Sequence, residues 1–298
     1  MPSKSNPADD SRGLQEAEDA FREARGCMFG IAYRILGSAG DAEDVVQEAW
    51  IRWQTYDRSK VENPQAFLAT TVTRLAINVL QSARVRRETY VGPWLPEPVD
   101  TSSDPELGAV NGEALEIAAL MLLEKLTPTE RAAYVLREAF DYPYAQIAEI
   151  IDQTQANVRQ LVSRARKHLA AEKRASVATA EHRRFLAAFV AAAQSGNVAV
   201  LEELFAADVI SYADGGGVVR ASKYPVVGRH RVAKYCHAFA DRFWAGVTVD
   251  PVEINGRAGV RLTRDGVVFA ALSLHVAPDG IDRLMWMMNP SKLAALAA

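Results

Sequence analysis

Residues 144–169 read YAQIAEIIDQTQANVRQLVSRARKHL, and their apolar spacing decides what surrounds them. Ile147, Ala148 and Ile151 form one helical stripe; Val158, Leu161, Val162, Ala165 and Leu169 form another. Between them Asp152-Gln153-Thr154 interrupts the pattern, and the Thr154 hydroxyl is placed to cap the second helix. The pattern is that of a helix-turn-helix. With the second stripe turned inward, Gln155, Arg159, Gln160, Ser163 and Lys167 point outward, flanked by Asn157, Arg164 and Arg166. Arg and Lys meet phosphate or guanine, and Gln or Asn can pair with adenine, so duplex DNA is the partner this helix fits. From Gln155 to Arg174 there are six Lys or Arg against one acid, Glu172. An ordinary two-helix hairpin with a solvated basic face is the reading this segment alone leaves open.

A second constellation lies upstream, where residues 31–53 read IAYRILGSAGDAEDVVQEAWIRW. Ser38-Ala39-Gly40-Asp41 is a turn and cap. In the helix that follows, Asp44 and Glu48 fall one turn apart on an exposed face, while Val46, Trp50 and Trp53 line the apolar one. Acids on such a helix also serve simply to solvate it and to favour its positive N-terminus. Residues 66–87 then carry Arg74, Arg84, Arg86 and Arg87 with no acid, an electrostatic track for a phosphate backbone.

These blocks, with NPQAFL at 63–68, RLAIN at 74–78 and LTPTER at 126–131, resemble regions two and four of an extracytoplasmic-function sigma factor. Such a subunit directs bacterial RNA polymerase to promoters. The resemblance implies that Asp41, Glu43, Asp44, Gln47, Glu48 and Trp50 bind core polymerase. It places Asn78 towards the displaced minus-10 strand and the loop Tyr56–Asn63 at a pocket for an unpaired base. The implied DNA-binding set is Arg74, Asn78, Arg84, Arg86 and Arg87 for minus-10, and Gln155, Asn157, Arg159, Gln160, Ser163, Arg164 and Lys167 for the minus-35 duplex.

Charge qualifies the DNA reading. The chain has 34 Lys and Arg against 37 Asp and Glu, a net of −3, so it is not a generally basic DNA binder. Positive charge is concentrated in 74–87 and 155–174, while 88–130 is acidic. Weak affinity for free DNA is expected, with specific binding requiring another subunit. With 298 residues and 49% hydrophobic content the chain can bury two or three modest cores. Its two cysteines, Cys27 and Cys236, suggest neither a disulfide framework nor a metal cluster, and no cofactor is expected. No signal peptide and no membrane-length apolar run are evident, which leads to a cytoplasmic expectation.

The expected organisation is multidomain: a disordered N-terminus (1–19), all-α region two (20–89), an irregular linker (90–112) and all-α region four (113–172). Beyond a junction near 171–181 follows an α+β tail, 182–298. In the tail, helical patterns at 182–195, 198–206 and 229–243 surround a strand near 208–213. Runs at 247–255, 258–264, 267–277 and 281–288 are separated by the hairpin signals Asn255-Gly256, Asp265-Gly266 and Asp279-Gly280. Helices followed by a curved antiparallel sheet resemble the SnoaL-like branch of the nuclear-transport-factor-two (NTF2-like) fold, a cone with an interior pocket.

The combination is similar to the ECF41 group of these sigma factors, carried by three motifs: Trp94-Leu95-Pro96-Glu97-Pro98, Asp214-Gly215-Gly216-Gly217 and Asn289-Pro290-Ser291-Lys292-Leu293. The resemblance implies that the motifs meet at an interdomain interface and that the tail modulates activity. Ser291 stands where the group usually has an acid. Trp94, on a stiff proline-rich segment, is expected to dock, and the C-terminal end, a short helix from Ser291 to Leu296, to pack back on it. Locally, the triple glycine also reads as a flexible hairpin tip.

Two rivals remain. Cones of this kind can be enzymes, and Tyr212, Asp214, His230, Tyr235, His237, Asp241 and His275 are available, although no fixed-spacing catalytic signature is present. The reading adopted is non-enzymatic, with a small-molecule ligand of the tail as a possible partner. A ligand-sensing repressor is the other rival; it would bind palindromes as a dimer, whereas a sigma factor acts as a monomer on an asymmetric pair of elements.

Overall fold

The computed structural model describes residues 7–102, 115–170, 172 and 174–296, without the side chains of 7–13 and 84–88. These fall into two compact units: one runs to Arg84 and adds Leu126–His168, the other joins Val85–Lys125 to Leu169 onward. The units do not follow the expected borders. Residues 90–102 and the helix Ile117–Leu123 belong to the second unit.

The first unit is all-α. Helix α1 (Pro7–Leu36) packs on α2 (Ala39–Thr55), which buries Ala42, Val45, Val46, Ala49 and Trp53 at helical spacing. Ser38 caps α2 by accepting from the Asp41 N–H at 3.1 Å. The stretch expected to be disordered is helical from Pro7, a residue suited to the first turn because its missing N–H has no partner there. Ala17 is buried, and its carbonyl accepts from Trp53 Nε1 at 3.0 Å, so α2 fixes this part of α1. Helix α3 (Pro64–Glu88) buries Leu68, Ala69, Val72, Leu75, Ala76, Leu80 and Ala83.

Helices α5 (Pro128–Glu138), α6 (Tyr144–Ile150) and α7 (Gln155–Ala170) follow in the same unit; the preceding α4 (Ile117–Leu123) lies in the other. Helix α5 starts on a capping box. Thr127 Oγ1 accepts from the Glu130 N–H while Glu130 Oε2 accepts from the Thr127 N–H. Arg131, 1% exposed, donates through Nε to the Arg34 carbonyl and ties α5 to α1. Arg34 is equally buried, donates to the Gly30 carbonyl and lies over the Phe140 ring; burial lowers its pKa to about 10.

Among the described residues the second unit carries α8 (Thr179–Ser195), α9 (Val198–Leu204), α10 (Arg229–Phe243) and six strands. These are β1 (Phe205–Asp214), β2 (Val226–Val227), β3 (Thr248–Ile254), β4 (Arg257–Arg264), β5 (Val267–Ala277) and β6 (Gly280–Met287). Their order is β2-β1-β6-β5-β4-β3. The sheet is not wholly antiparallel as expected: β1 pairs parallel with β6, which the long intervening chain allows. Asn255-Gly256 and Asp265-Gly266 both have positive φ, as their hairpins require. The end expected as one short helix is two 3₁₀ turns, Pro290–Lys292 and Ala294–Leu296.

Strand alternation gives this sheet two apolar faces. From β6, Leu284 and Trp286 join Phe189, Phe205, Val232 and Leu272 in the cone's core. Met285 and Met287 face the other way, onto Leu95, Ile117, Ala118, Leu293 and Leu296. The linker and α4 thus cover a sheet face that would otherwise meet water, which explains why they fold with the tail. Among the described residues no helix is long and apolar enough to cross a membrane.

Candidate nucleic-acid interface and linker clamp

Helix α7 presents the surface its sequence implies. Val158, Leu161, Val162, Ala165 and Leu169 are buried, while Gln155, Arg159, Gln160, Ser163, Arg164 and Lys167 are exposed and Asn157 is half-buried. Thr154 Oγ1 accepts from the Asn157 N–H at 3.2 Å, the expected cap, and Asn157 Nδ2 donates to Gln153 Oε1. Arg159 lies 5.6 Å from the centroid of the Tyr144 ring, which steadies its long side chain on α6. Arg164 pairs at 3.4 Å with Glu130.

Arg74 departs from its expected place in a phosphate track. Its Nε donates to the Ile150 carbonyl and its Nη2 to the Glu149 carbonyl, both at 2.8 Å, so it caps the C-terminus of α6. A charge-assisted bond to carbonyls with no helical partner is a strong local alternative to phosphate when no DNA is present. Asn78 is exposed one turn along. The side chains of Arg84, Arg86 and Arg87 lie outside the described residues. Tyr56 packs on Phe67 at 4.6 Å, and both line a cavity of about 670 Å³ with Thr70, Arg74 and, from α6, Gln146 and Glu149.

On α2, Glu43, Asp44 and Gln47 are exposed, while Asp41 and Glu48 are partly covered. Glu43 pairs with Arg25 and Glu48 with Arg52. Trp50 is not in the apolar stripe: it is half-buried at the margin, 4.8 Å from Phe21, and Trp53 holds the core position.

In the second unit the three motifs converge. Asp214 is fully buried and accepts four hydrogen bonds. Oδ1 takes Tyr90 Oη at 2.5 Å and the Gly216 N–H at 3.1 Å; Oδ2 takes the Leu95 N–H at 2.9 Å and Lys292 Nζ at 2.8 Å. Lys292 also donates to the Leu95 carbonyl and lies 4.2 Å from the Trp94 ring centroid. Asn289 Nδ2 donates to Tyr90 Oη. Leu95, rather than Trp94, is the buried anchor at 0% exposed, a burial that stabilises by about 1.5–3 kcal/mol. Pro96 and Pro98 are buried beside it, Glu97 is half-buried and Pro290 exposed. Leu293 joins the same apolar cluster as Leu95. Burial and then the Asp214 bond raise the Tyr90 pKa, so its phenol stays protonated as a donor. That contribution is fully present below about 10, the phenol's ordinary pKa, and fades as pH rises through the higher folded value.

The triple glycine is not a free hairpin tip. Gly216 has φ +62° and a Cβ there would sit 2.4 Å from Asn289 Nδ2; at Gly217 it would sit 3.2 Å from Val91 Cβ. Gly215 is equally crowded, with Val219 O 2.3 Å from such an atom. Gly216→Ala is therefore expected to loosen the clamp and raise chymotryptic cleavage after Tyr90 and Trp94 about tenfold, the scale of a 1–2 kcal/mol backbone and steric penalty. An unchanged cleavage rate would show that the loop yields without cost.

Comparison with known proteins matches residues 20–86 to Sigma-70 region 2 and residues 116–169 to Sigma-70 region 4. The ECF RNA polymerase sigma factor SigJ of Mycobacterium tuberculosis is 36% identical over 232 residues, 76% of this chain and 74% of that one. The chain belongs to the extracytoplasmic-function RNA polymerase sigma factors. A probable ECF RNA polymerase sigma factor of the same species, SigI, is 30% identical over 94% of this chain and 95% of its own. The crystal structure of M. tuberculosis SigJ superposes with a TM-score of 0.76 at 30% identity, covering 92% of this chain and 97% of that one. This sigma factor thus has helical regions two and four followed by an NTF2-like cone, and its function is promoter-specific transcription initiation with RNA polymerase core and promoter DNA as partners.

The side chains available for an enzymatic tail are dispersed in this sigma factor. Asp214 is committed to the clamp, His230 pairs with Glu202, His237 meets the Gly196 carbonyl, and Asp241 is exposed. His275 bonds Asp282 through Nδ1 at 2.5 Å and Ser176 through Nε2 at 3.0 Å. That row has the order of a catalytic triad, but the single hydroxyl hydrogen of Ser176 is donated to Glu116, which pairs with Arg257, and the row ties Ser176 to the sheet. Of the seven candidates only Tyr235 lines the large cavity of the cone.

Sequence reasoning missed Tyr90 and Asn255. Asn255 was legible as a turn residue, yet its side chain also accepts from the Val99 N–H and donates to the Leu115 carbonyl, holding both ends of the linker segment. Tyr90 precedes the linker motif and carries no pattern of its own. Only the fold reveals that its hydroxyl meets Asp214.

Proposed function

We propose that this sigma factor binds core polymerase through the α2 face of Asp41, Glu43, Asp44, Gln47, Glu48 and Trp50. In this reading α3, with Asn78 and the Arg74–Arg87 track, takes the melted minus-10 strand, and α7 reads the minus-35 duplex. The cone modulates initiation by holding the linker that joins the two DNA-reading regions, and a small molecule seated in the cone is its input. It is non-enzymatic and acts as a monomer.

One observation carries the regulatory part: Arg74 of region two is bonded to the end of α6, the first helix of the helix-turn-helix. Elements centred about 25 base pairs apart are separated by roughly 85 Å of duplex at 3.4 Å per step. Helices in hydrogen-bond contact cannot read both, so this contact must open for initiation, and the linker must lengthen as it does. A clamp on residues 90–98 opposes that extension. It is a restraint on opening, with its sign read from transcription.

The test is run-off transcription on a genomic promoter library, with bacterial core polymerase and the full chain. Defined start sites are expected, and the clamp variant Gly216→Ala should change their yield. DNA binding without initiation would return the ligand-sensing repressor reading and remove the polymerase role of α2. Cutting the chain near residue 175 is a poorer test, because Leu95, Ile117 and Ala118 would lose the sheet face that buries them.

A further inference from the structure

The cone contains a cavity of about 590 Å³, within the range of small-molecule sites. Its body is aromatic. Phe243 meets Trp244, Phe269 and Trp286 edge-on at 5.1, 5.6 and 5.4 Å, and Ala193, Ala213 and Met288 add apolar wall. Its charge is of one sign: Arg220, Arg242 and Arg264 line it, and among the described residues no Asp, Glu or His does. Arg264 is occupied by the Phe243 and Ala245 carbonyls and lies over the Phe269 ring. Arg220 and Arg242 are exposed and, among the described residues, make no hydrogen bond or ion pair. Burial pushes the Cys236 thiol in the wall up to about 12, so it is a neutral surface and not a nucleophile at physiological pH.

We propose that this cavity binds an amphipathic organic anion, an aromatic body with a carboxylate or similar group. The ring packs among Phe243, Trp244, Phe269 and Trp286, and the anion meets Arg220 and Arg242. An organic cation is repelled by the same arginines. A neutral hydrophobe fills the aromatic part but gains nothing from the guanidinium groups.

The site also explains how occupancy reaches the linker. Val219, Arg220, Ala221 and Ser222 form part of the cavity wall, and they continue the glycine loop of the clamp: the Val218 and Val219 N–H groups donate to the Gly215 carbonyl. Met288, another wall residue, donates its N–H to the Asp214 carbonyl and precedes Asn289. A Cβ added at Gly92 of the linker would lie 3.8 Å from the Ser222 carbonyl oxygen, so the linker runs beside this wall. A ligand that shifts this wall shifts the groups holding the linker. This consequence rests on the modulating role proposed above; binding itself does not.

The test is calorimetric titration of the full chain with three probes of one shape: naphthylacetate, naphthylethanol and naphthylethylamine. Naphthylacetate is expected to bind at least about tenfold more tightly than the alcohol, with the amine weakest. The exposed double substitution Arg220→Gln/Arg242→Gln should erase the preference without disturbing the fold. Equal affinity for acid and alcohol, a preference that survives loss of both arginines, or failure of all three probes to bind would overturn the proposal. Run-off transcription in parallel separates the two ideas. Initiation without probe binding removes the anion site and leaves the sigma function; binding without any change in transcription or linker cleavage leaves the site and removes its coupling.

Discussion

Asp214→Ala is expected to release the linker, raising chymotryptic cleavage after Tyr90 and Trp94 about a hundredfold. The reason is arithmetic of donors. Tyr90 Oη, the Gly216 and Leu95 N–H groups and Lys292 Nζ all point at one carboxylate, which is 0% exposed with Lys292 6% exposed. Removing one member of a buried ion pair costs about 3–5 kcal/mol because the other charge stays buried without compensation. When opening is fast relative to cleavage, proteolysis follows the open population, so about 3 kcal/mol becomes roughly two orders of magnitude. Asp214→Asn discriminates further. The amide is nearly isosteric, but its single oxygen can serve only one pair of donors, and its NH₂ then faces the other pair. It should fall near the alanine variant, not near the parent. Adding Lys292→Met to Asp214→Ala removes the stranded ammonium and should recover part of the loss. A double variant as labile as Asp214→Ala alone would mean that Lys292 is not the origin of the cost.

The clamp also shows where sequence stopped being informative. The helix-turn-helix was readable because apolar period, cap and charge agree over residues 144–169 and the structure keeps all three. The hairpins of the cone were readable from Asn255-Gly256 and Asp265-Gly266, whose local geometry needs those residues. Three motifs more than a hundred residues apart in places were expected to meet only through the family resemblance, and their residues alone gave no hint of the geometry. Their meeting depends on which face of β6 is left bare, and alternation along one strand does not say what will cover it. Trp94 drew attention because a large ring is costly in water, yet the shorter Leu95 is the side chain that the sheet buries. Arg74 is ambiguous for a related reason. A guanidinium suits phosphate and a helix C-terminus equally well, and only the position of α6 shows that the second partner is within its reach.

Arg159→Ala and Asp44→Ala should separate the two recognition surfaces proposed for the first unit. Arg159 is exposed on α7 and propped by the Tyr144 ring, a geometry suited to a guanine edge or a phosphate in the major groove. A bidentate arginine to guanine contributes about 1–3 kcal/mol of discrimination, so Arg159→Ala should reduce minus-35-dependent initiation by roughly 5- to 150-fold. Binding to core polymerase should be unchanged, because α2 is untouched. If the loss is instead uniform across minus-35 sequences and shrinks at low salt, Arg159 contacts phosphate and not a base. Asp44 is exposed on α2, and its replacement should weaken core binding and so lower initiation at every promoter together, regardless of minus-35 sequence. Loss of core binding by the Arg159 variant would contradict the division of labour between α2 and α7. Arg159→Lys sharpens the contrast: lysine keeps the charge but not the planar fork, so it should restore phosphate-type affinity and leave base choice relaxed.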